Sequence, residues 1–580
     1  MKQAGIWAKI NRLVFRQNIW RWLYVVLFLG AVALRMAIAA SQRVFLMPEG
    51  SGLDDMLMIR AAQSITAGQW LGAYGGVAIA KNMGFAVWLA FLHALRVPVL
   101  LGNAALWLAA CAFAVWALRP LFKGNLGRLL LFVFLAYQPL SYAFFTQRVY
   151  RDSVFPTFSL LFFAGVLGLC LRLALPSGKG SILAALGAGF GLADAWLMRE
   201  DGLLLLVFGI CAAVVLAAFV LFNKQVKKRV VKLLCVALPF VVLGAGVLGF
   251  SAANQKHYGV FMVSDLTEGT FPAAYGAIVA VAAAESEYMP LTPVPQQTLQ
   301  KLYQEVPTMA LLKPQLQSSN VLNGFGNPQT GEYGGSFYYA LRLAADYGGY
   351  TPTAPAAQAF WAQLLQEVQT AVAQGRLKSV KAGSSTVPLW HSSLLAPTLA
   401  ETGRGLLAVF TFSDDAGTMD IYPAESMGTP EAIQQVAQYL YSPVQQGYVA
   451  GTSQPYYNMV QKICFAIANG VTWVYRILLW PLAALALVVL CKTLGKTIWQ
   501  LFNKRKAGLQ LVFAVLLLGL LLSTLLRVGV AAYMEAAAFN IGVYLMYFSG
   551  ALPPLLLLLA AAPGLQNSGW VSGSSQAQQN

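Results

Sequence analysis

The chain has 580 residues, of which 58% are hydrophobic and 11% charged, with a mean hydropathy of +0.61. These values exclude an ordinary soluble domain and point to a polytopic membrane protein. The net charge of +17 does not indicate nucleic acid, because most Lys and Arg sit in short loops between apolar runs, where orientation in a bilayer accounts for them.

The basic start (Lys2, Lys9, Arg12, Arg16, Arg21) runs directly into an apolar span with no small-residue cleavage site, which argues against a cleavable signal peptide. A helix needs about 20 apolar residues to cross roughly 30 Å of hydrocarbon. By that rule spans are predicted at 22–40, 99–118, 128–146, 153–173, 181–198, 202–222, 232–252, 470–491, 509–533 and 540–562. The run "MGFAVWLAFLHAL" (83–95) is too short to cross and is expected to lie at the interface or to be re-entrant. Counting it as a span would invert every later loop.

With ten spans, the inside segments are the N-terminus, "RPLFKGNLGR", "RLALPSGKG", "NKQVKKRVVK", "KTLGKTIWQLFNKRK" and the C-terminal tail. The first five are basic and none of the six contains Asp or Glu, so all 22 acids fall outside or within spans. Between 253 and 460 the apolar runs stop, and Pro, Gly, Gln, Ser and Tyr rise. There "AAQAFWAQLLQEVQTAVAQG" has helical periodicity with a glycine stop, and "GFGNPQTGEYGGSFYYALRLAADYGGY" reads as loop, helix, loop. No strand alternation stands out.

The expected architecture is therefore mainly α, a polytopic membrane protein with about ten transmembrane helices and a mostly helical extracytoplasmic domain. Residues 1–252 form a seven-span membrane module whose long first loop covers about 41–98. The extracytoplasmic domain is 253–460, a C-terminal module of about three spans is 461–562, and 563–580 is a disordered tail.

The six cysteines show no metal-ligand spacing and read as small core residues. The acids are more informative. Asp54 and Asp55 open an amphipathic segment after the first span. Asp152 sits in "TQRVYRDSVFP", Glu200 and Asp201 sit in "MREDGLL", and Asp194 lies within the fifth span. Taken singly, Asp54 reads as a helix N-cap, with Met58, Ala61, Ala62 and Ile65 on the apolar face and Gly68 as the stop. Asp152 and Asp201 also precede helices, where the dipole favours them. Asp194 is costly inside a span and calls for a cavity or a partner such as Arg199.

Together, three acidic helix starts on one side, accompanied by Lys81, Arg148, Arg151 and Arg199, read as a site. Cations beside carboxylates suit an anionic substrate such as a phosphate ester, with one carboxylate as base. The competing reading is plain ion pairing within the loops, for example Arg151 with Asp54 or Asp55. Arg527, near the outer end of the ninth span, either meets a lipid-borne anion or snorkels to the interface. His93, His257 and His391 are scattered and give little support to a zinc site.

The first loop, "LDDMLMIRAAQSITAGQWLGAY" continuing to "IAKNMGFAVWLAFLHAL", resembles that of the GT-C glycosyltransferases, as "RDSVFP" resembles their second acidic site and "MREDGLL" their Arg-Pro-Glu-Gly segment. "NQKHYGVFMVSDLTEGTFPAAYGAI" is similar to the stretch after the seventh span in some bacterial members, so the likeness covers roughly residues 22–280. The likeness is to bacterial mannosyltransferases and aminoarabinose transferases within that superfamily.

The resemblance implies transfer of a sugar from a polyprenyl-phosphate carrier to a glycan, lipid, cell-wall polymer or protein acceptor at the outer membrane face, by an inverting displacement. Asp54 would be the general base, Asp55 and Asp152 would orient the acceptor or the base, and Lys81, Arg148, Arg151 and Lys256 would hold the carrier phosphate. Asp194, Glu200 and Asp201 are secondary acids and Arg199 a further substrate contact. Some GT-C members bind a divalent metal through such acids, which leaves Mg or Mn open here.

Outer-domain aromatics (Tyr333, Phe337, Tyr338, Tyr339, Trp361, Trp390) would stack on an acceptor or pack as core. The implied location is a bacterial cytoplasmic membrane with both termini cytoplasmic, in contact with membrane lipids and with no nucleic-acid partner. Two other readings stand beside the enzyme. One is a non-catalytic envelope scaffold or degenerate GT-C homologue. The other is a lipid or solute transporter, which predicts inverted repeats and mid-span charges that the sequence does not display.

Overall fold

A computed structural model describes residues 3–122, 124–174, 179–224, 226–381, 383, 386–413, 425–444, 457–503, 508–542 and 544–567, with backbone alone for 3–21 and 567. The chain is a mainly helical, multi-pass membrane protein. Among the described residues nine helices are long and apolar enough to cross a membrane, and a bent pair makes a possible tenth. No strand occurs among them, only isolated bridges.

The first membrane part runs α1 (Gln3–Ser41), α2 (Asp55–Thr66), α3 (Gly84–Ala94), α4 (Val99–Ala117), α5 (Asn125–Ala136), α6 (Phe155–Ala174), α7 (Ser181–Met198), α8 (Leu203–Phe222) and α9 (Arg229–Tyr258). Hydrocarbon offers no hydrogen bonds, so these Leu-, Ala-, Val- and Phe-rich runs satisfy their backbones internally as helices. α6 is buried nearly all round and packs most extensively on α7, whereas α8 and α9 turn broad apolar faces outward. The α6–α7 contact depends on small residues: a Cβ at Gly165 would lie 2.4 Å from Ala188 N, and one at Gly191 2.4 Å from Phe162 N.

The expected short interfacial segment is α3. Its 11 residues are too few to span, and it lies against α2, α4 and α7. The expected span 128–146 is not one straight helix. α5 ends at Ala136, and Pro139–Thr146 follows at a bend of 57°. Pro139 supplies no N–H and disfavours helical geometry in the residue before it.

Beyond α9 comes a helical layer of α10 (Phe271–Glu285), α11 (Gln296–Glu305), α12 (Pro307–Leu316), α13 (Ser319–Phe325), α14 (Phe337–Tyr347) and α15 (Ala354–Ala373), with its own core around Phe271, Phe337 and Trp361. Two later helices depart from it. α16 (Leu395–Thr411) packs on the membrane helices and turns Leu395, Leu399 and Leu407 outward, and α17 (Pro430–Tyr439) returns to the first loop. Thus 253–460 does not behave as one detached unit: residues 253–258 complete α9, and α16 joins the bundle.

The last helices are α18 (Met459–Phe502), α19 (Gly508–Met534), α20 (Leu545–Phe548) and α21 (Leu552–Asn567). The final span starts later than expected because a π-turn (Glu535–Phe539), a left-handed Asn540 and a left-handed Gly542 interrupt the chain first. Residues 563–567 complete α21 instead of opening a tail, and 568–580 lie outside the described residues.

Candidate functional site

Loops from separate parts of the chain converge at one end of the bundle. The first loop brings Asp54, Asp55 and Lys81, and the approach to α6 brings Arg148, Tyr150, Arg151 and Asp152. The α7–α8 turn adds Arg199, Glu200 and Asp201, and α19 adds Arg527. A parallel bridge between Phe45 and Arg148, with Phe45 N donating to Gln147 O at 3.0 Å, docks the first loop on the second.

Asp54 does precede α2, but its side chain makes no capping hydrogen bond. Its carboxylate accepts instead from Lys81 Nζ at 2.5 Å, Tyr150 Oη at 3.2 Å and Arg148 Nη2 at 3.3 Å. Arg148 Nε donates to both oxygens of Asp55, at 2.7 and 2.8 Å, so one guanidinium holds the two adjacent acids. Tyr150 lies at the hub, its ring 5.5 Å from Lys81, 5.2 Å from Arg148 and 5.5 Å from Arg151.

A second tier supports the first. Arg151 Nη1 donates to Glu200 Oε1 at 2.9 Å, and that oxygen also accepts from Asn82 N at 3.2 Å. Arg199 donates to Asp201 at 3.1 and 3.0 Å and pairs with Asp152, while Arg527 pairs with Asp201. Arg527 therefore turns inward over Phe155, 5.2 Å away, and neither snorkels nor faces lipid. A charge on a membrane helix is cheaper beside a carboxylate than in hydrocarbon. The cluster balances five cations (Lys81, Arg148, Arg151, Arg199, Arg527) against five carboxylates (Asp54, Asp55, Asp152, Glu200, Asp201).

The carboxylates differ in access. The Asp54 side chain is 42% exposed, against 1% for Asp55 and 2% for Asp152. Burial works to raise the Asp54 carboxyl, but Lys81 and Arg148 outweigh it and hold it below the usual range. For Asp55 burial wins over Arg148, and neighbouring Asp54 adds to it, so its carboxyl is pushed up to about 6. The arrangement thus offers one accessible, ionised carboxylate between two cations.

Two expected site residues stay apart. Lys256 is exposed on the last turn of α9, and among the described residues nothing ties it to the cluster. Asp194 shares the outward face of α7 with Leu183 and Phe190, and Arg199 is engaged by Asp152 and Asp201 rather than by it. Among the outer-layer aromatics, Tyr333, Phe337 and Trp361 are core, Trp390 is exposed, and Tyr339 places its ring 5.5 Å from Lys81 Nζ. Tyr150 was present in "TQRVYRDSVFP", but nothing in the spacing marked it as the hub.

No group of three His, Cys, Asp or Glu among the described residues is arranged to hold a metal ion. Each acid of the cluster already faces a Lys or Arg, a donor set ill suited to a divalent cation. Comparison with family models, with curated proteins and with solved structures found no match to this chain.

Proposed function

We propose that this chain is a GT-C-type glycosyltransferase that moves a sugar from a polyprenyl-phosphate carrier to an acceptor hydroxyl at the outer face of a bacterial cytoplasmic membrane. The observation that carries the reading is Asp54: an accessible carboxylate, held ionised and flanked by Lys81 and Arg148. Asp54 takes the proton of the acceptor hydroxyl as its oxygen attacks the anomeric carbon. The bond from that carbon to the carrier phosphate breaks, and its electron pair leaves with the phosphate.

Lys81, Arg148 and Arg151 stabilise the departing anion, which needs little acid assistance. Asp55 and Asp152 orient Arg148 and Arg199, and no step runs through a metal. The basic, acid-free loops between the other ends of the spans support this sidedness.

The balance of five cations with five carboxylates also suits a scaffold in which the network only locks the loops together. Purified wild type and Asp54→Asn, each given a panel of polyprenyl-phosphate sugars with envelope extract as acceptor, separate the two readings through release of carrier phosphate. Turnover by the wild type and not by the variant supports the transferase. Absence of turnover with every donor, in extract proven to contain usable acceptors, leaves the scaffold.

A further inference from the structure

One helix of the membrane bundle carries a cation outside the balance of the charged cluster. Arg35 lies on α1, within the Trp22–Ser41 stretch that is apolar enough to span, and is 1% exposed. Its Nη2 donates to Ser141 O at 2.7 Å and to Ser141 Oγ at 3.3 Å, and its guanidinium stands 5.5 Å from the ring of Tyr142. None of the ion pairs of the cluster includes it. A guanidinium keeps its proton, and inside a bilayer it needs a counter-charge or a polar cavity.

Such a cavity adjoins it. Residues of α1, α4, the bent segment 138–146 and the approach to α6 enclose about 20 Å³, more than the roughly 10–15 Å³ that one water needs. Arg35 and Asp152 both line it, and this is the Asp152 that pairs with Arg199 in the second tier. Other lining groups are engaged: Asn103 Nδ2 donates to Ser153 Oγ at 3.2 Å, Ser153 Oγ to Tyr150 O at 2.8 Å, and Thr146 Oγ1 to Ala143 O at 2.7 Å. Four buried lining atoms have no protein partner among the described residues. Two are donors, Arg35 Nε and Nη1, and two are acceptors, Gln138 Oε1 and Asp152 Oδ2.

We propose that water in this cavity joins Arg35 to Asp152, making Arg35 a sixth cation of the cluster, held within the bilayer. The mixture of groups selects the ligand. Water accepts from the guanidinium and gives its protons to Gln138 Oε1 and Asp152 Oδ2. An anion would face the Asp152 carboxylate, a metal ion would face the guanidinium, and an apolar group would leave all four atoms unpaired. Asp152 then has a cation at each oxygen, Arg199 directly at Oδ1 and Arg35 through water at Oδ2. Arg35 is thus a positioning residue: through it α1 fixes the acid that holds Arg199. The link stands whether the chain transfers sugars or only locks its loops, so its test reads no turnover.

The test uses the full-length protein in nanodiscs. Radiolytic hydroxyl labelling marks side chains beside buried water, because the radical forms in place. Trp107, Leu140 and Pro156 of the cavity wall are expected to be labelled, while Phe163 in the bundle core stays unlabelled. Ala104→Leu, which fills the cavity, should bring the wall down to the Phe163 level.

Melting temperatures read the link itself. Arg35→Met and Asp152→Asn should each lower it, and the double variant should fall by less than the sum of the two. Arg35→Lys, which keeps the charge and still donates to water, should recover most of the loss. The wild-type labelling requires no variant to fold. Unlabelled cavity walls, additive losses in the double variant, or an Arg35→Lys protein no more stable than Arg35→Met each overturn the proposal. So does wild-type melting that rises in chloride over gluconate and no longer does so in Arg35→Met, which assigns the cavity to an anion.

Discussion

At the level of single residues, Asp54 and Asp55 show how adjacent, chemically identical groups diverge through their surroundings. Asp54 reaches solvent between two cations, while Asp55 is enclosed against Arg148. Removing a general base typically costs two to four orders of magnitude, so Asp54→Asn should lower turnover by about 10²–10⁴, and because it leaves the buried Lys81 without its carboxylate it should also lower the melting temperature. Carrier-phosphate release and thermal unfolding in the same preparation check both halves.

The raised Asp55 carboxyl has a signed consequence. As pH falls through about 6, Asp55 takes up a proton, its pairing with Arg148 weakens, and Arg148 loses its fixed position beside Asp54. The pH profile of kcat/KM should therefore fall on the acid side with an apparent pKa near 6. In Asp55→Asn that acid limb should be lost from the residual activity, because the group that titrates has gone.

At the level of elements, the closeness of α6 and α7 sets the position of the α7–α8 turn, and so of Arg199, Glu200 and Asp201. A Cβ at Gly191 would stand 2.4 Å from Phe162 N and 2.6 Å from Phe158 O, backbone atoms that yield only if the helices part. Gly191→Val should cost about 1–3 kcal/mol or more. It should appear as a lower melting temperature in detergent together with lost turnover.

The elements also show what the sequence could and could not convey. Spans within α4, α6, α7, α8 and α9 were legible because length and apolarity alone define a membrane helix. The break after Ala136 and the π-turn at Glu535–Phe539 were not, because their segments remain apolar on average and only local backbone chemistry interrupts them.

At the level of the whole molecule, a buried ion pair ties the helical layer to the first loop. Arg342 donates through Nε to Gly76 O at 2.7 Å and lies 2.7 Å from Asp265, which also accepts from Tyr74 Oη at 3.2 Å. Asp265 N donates to Ile79 O at 3.1 Å, two residues before Lys81. Removing one partner of a buried pair leaves the other charge uncompensated, at about 3–5 kcal/mol. Arg342→Met should therefore lower the melting temperature and speed proteolysis within 259–381. It should also reduce turnover, because the backbone that positions Lys81 loses its anchor.

The sequence by itself determined the membrane character, nearly all the spans, the short α3 and the set of residues from which the charged cluster is drawn. Hydropathy runs, charge placement and residue type are local properties, readable along one chain. Only the tertiary structure decided the pairing. It gave Arg148 to both first-loop acids and Arg199 to Asp152 and Asp201, drew Arg527 inward, placed Tyr150 among three cations, and left Asp194 and Lys256 aside. Which ion meets which depends on how loops far apart in the chain are clamped by helix packing, because Coulomb and hydrogen-bond energies are set by ångström distances that sequence spacing does not encode.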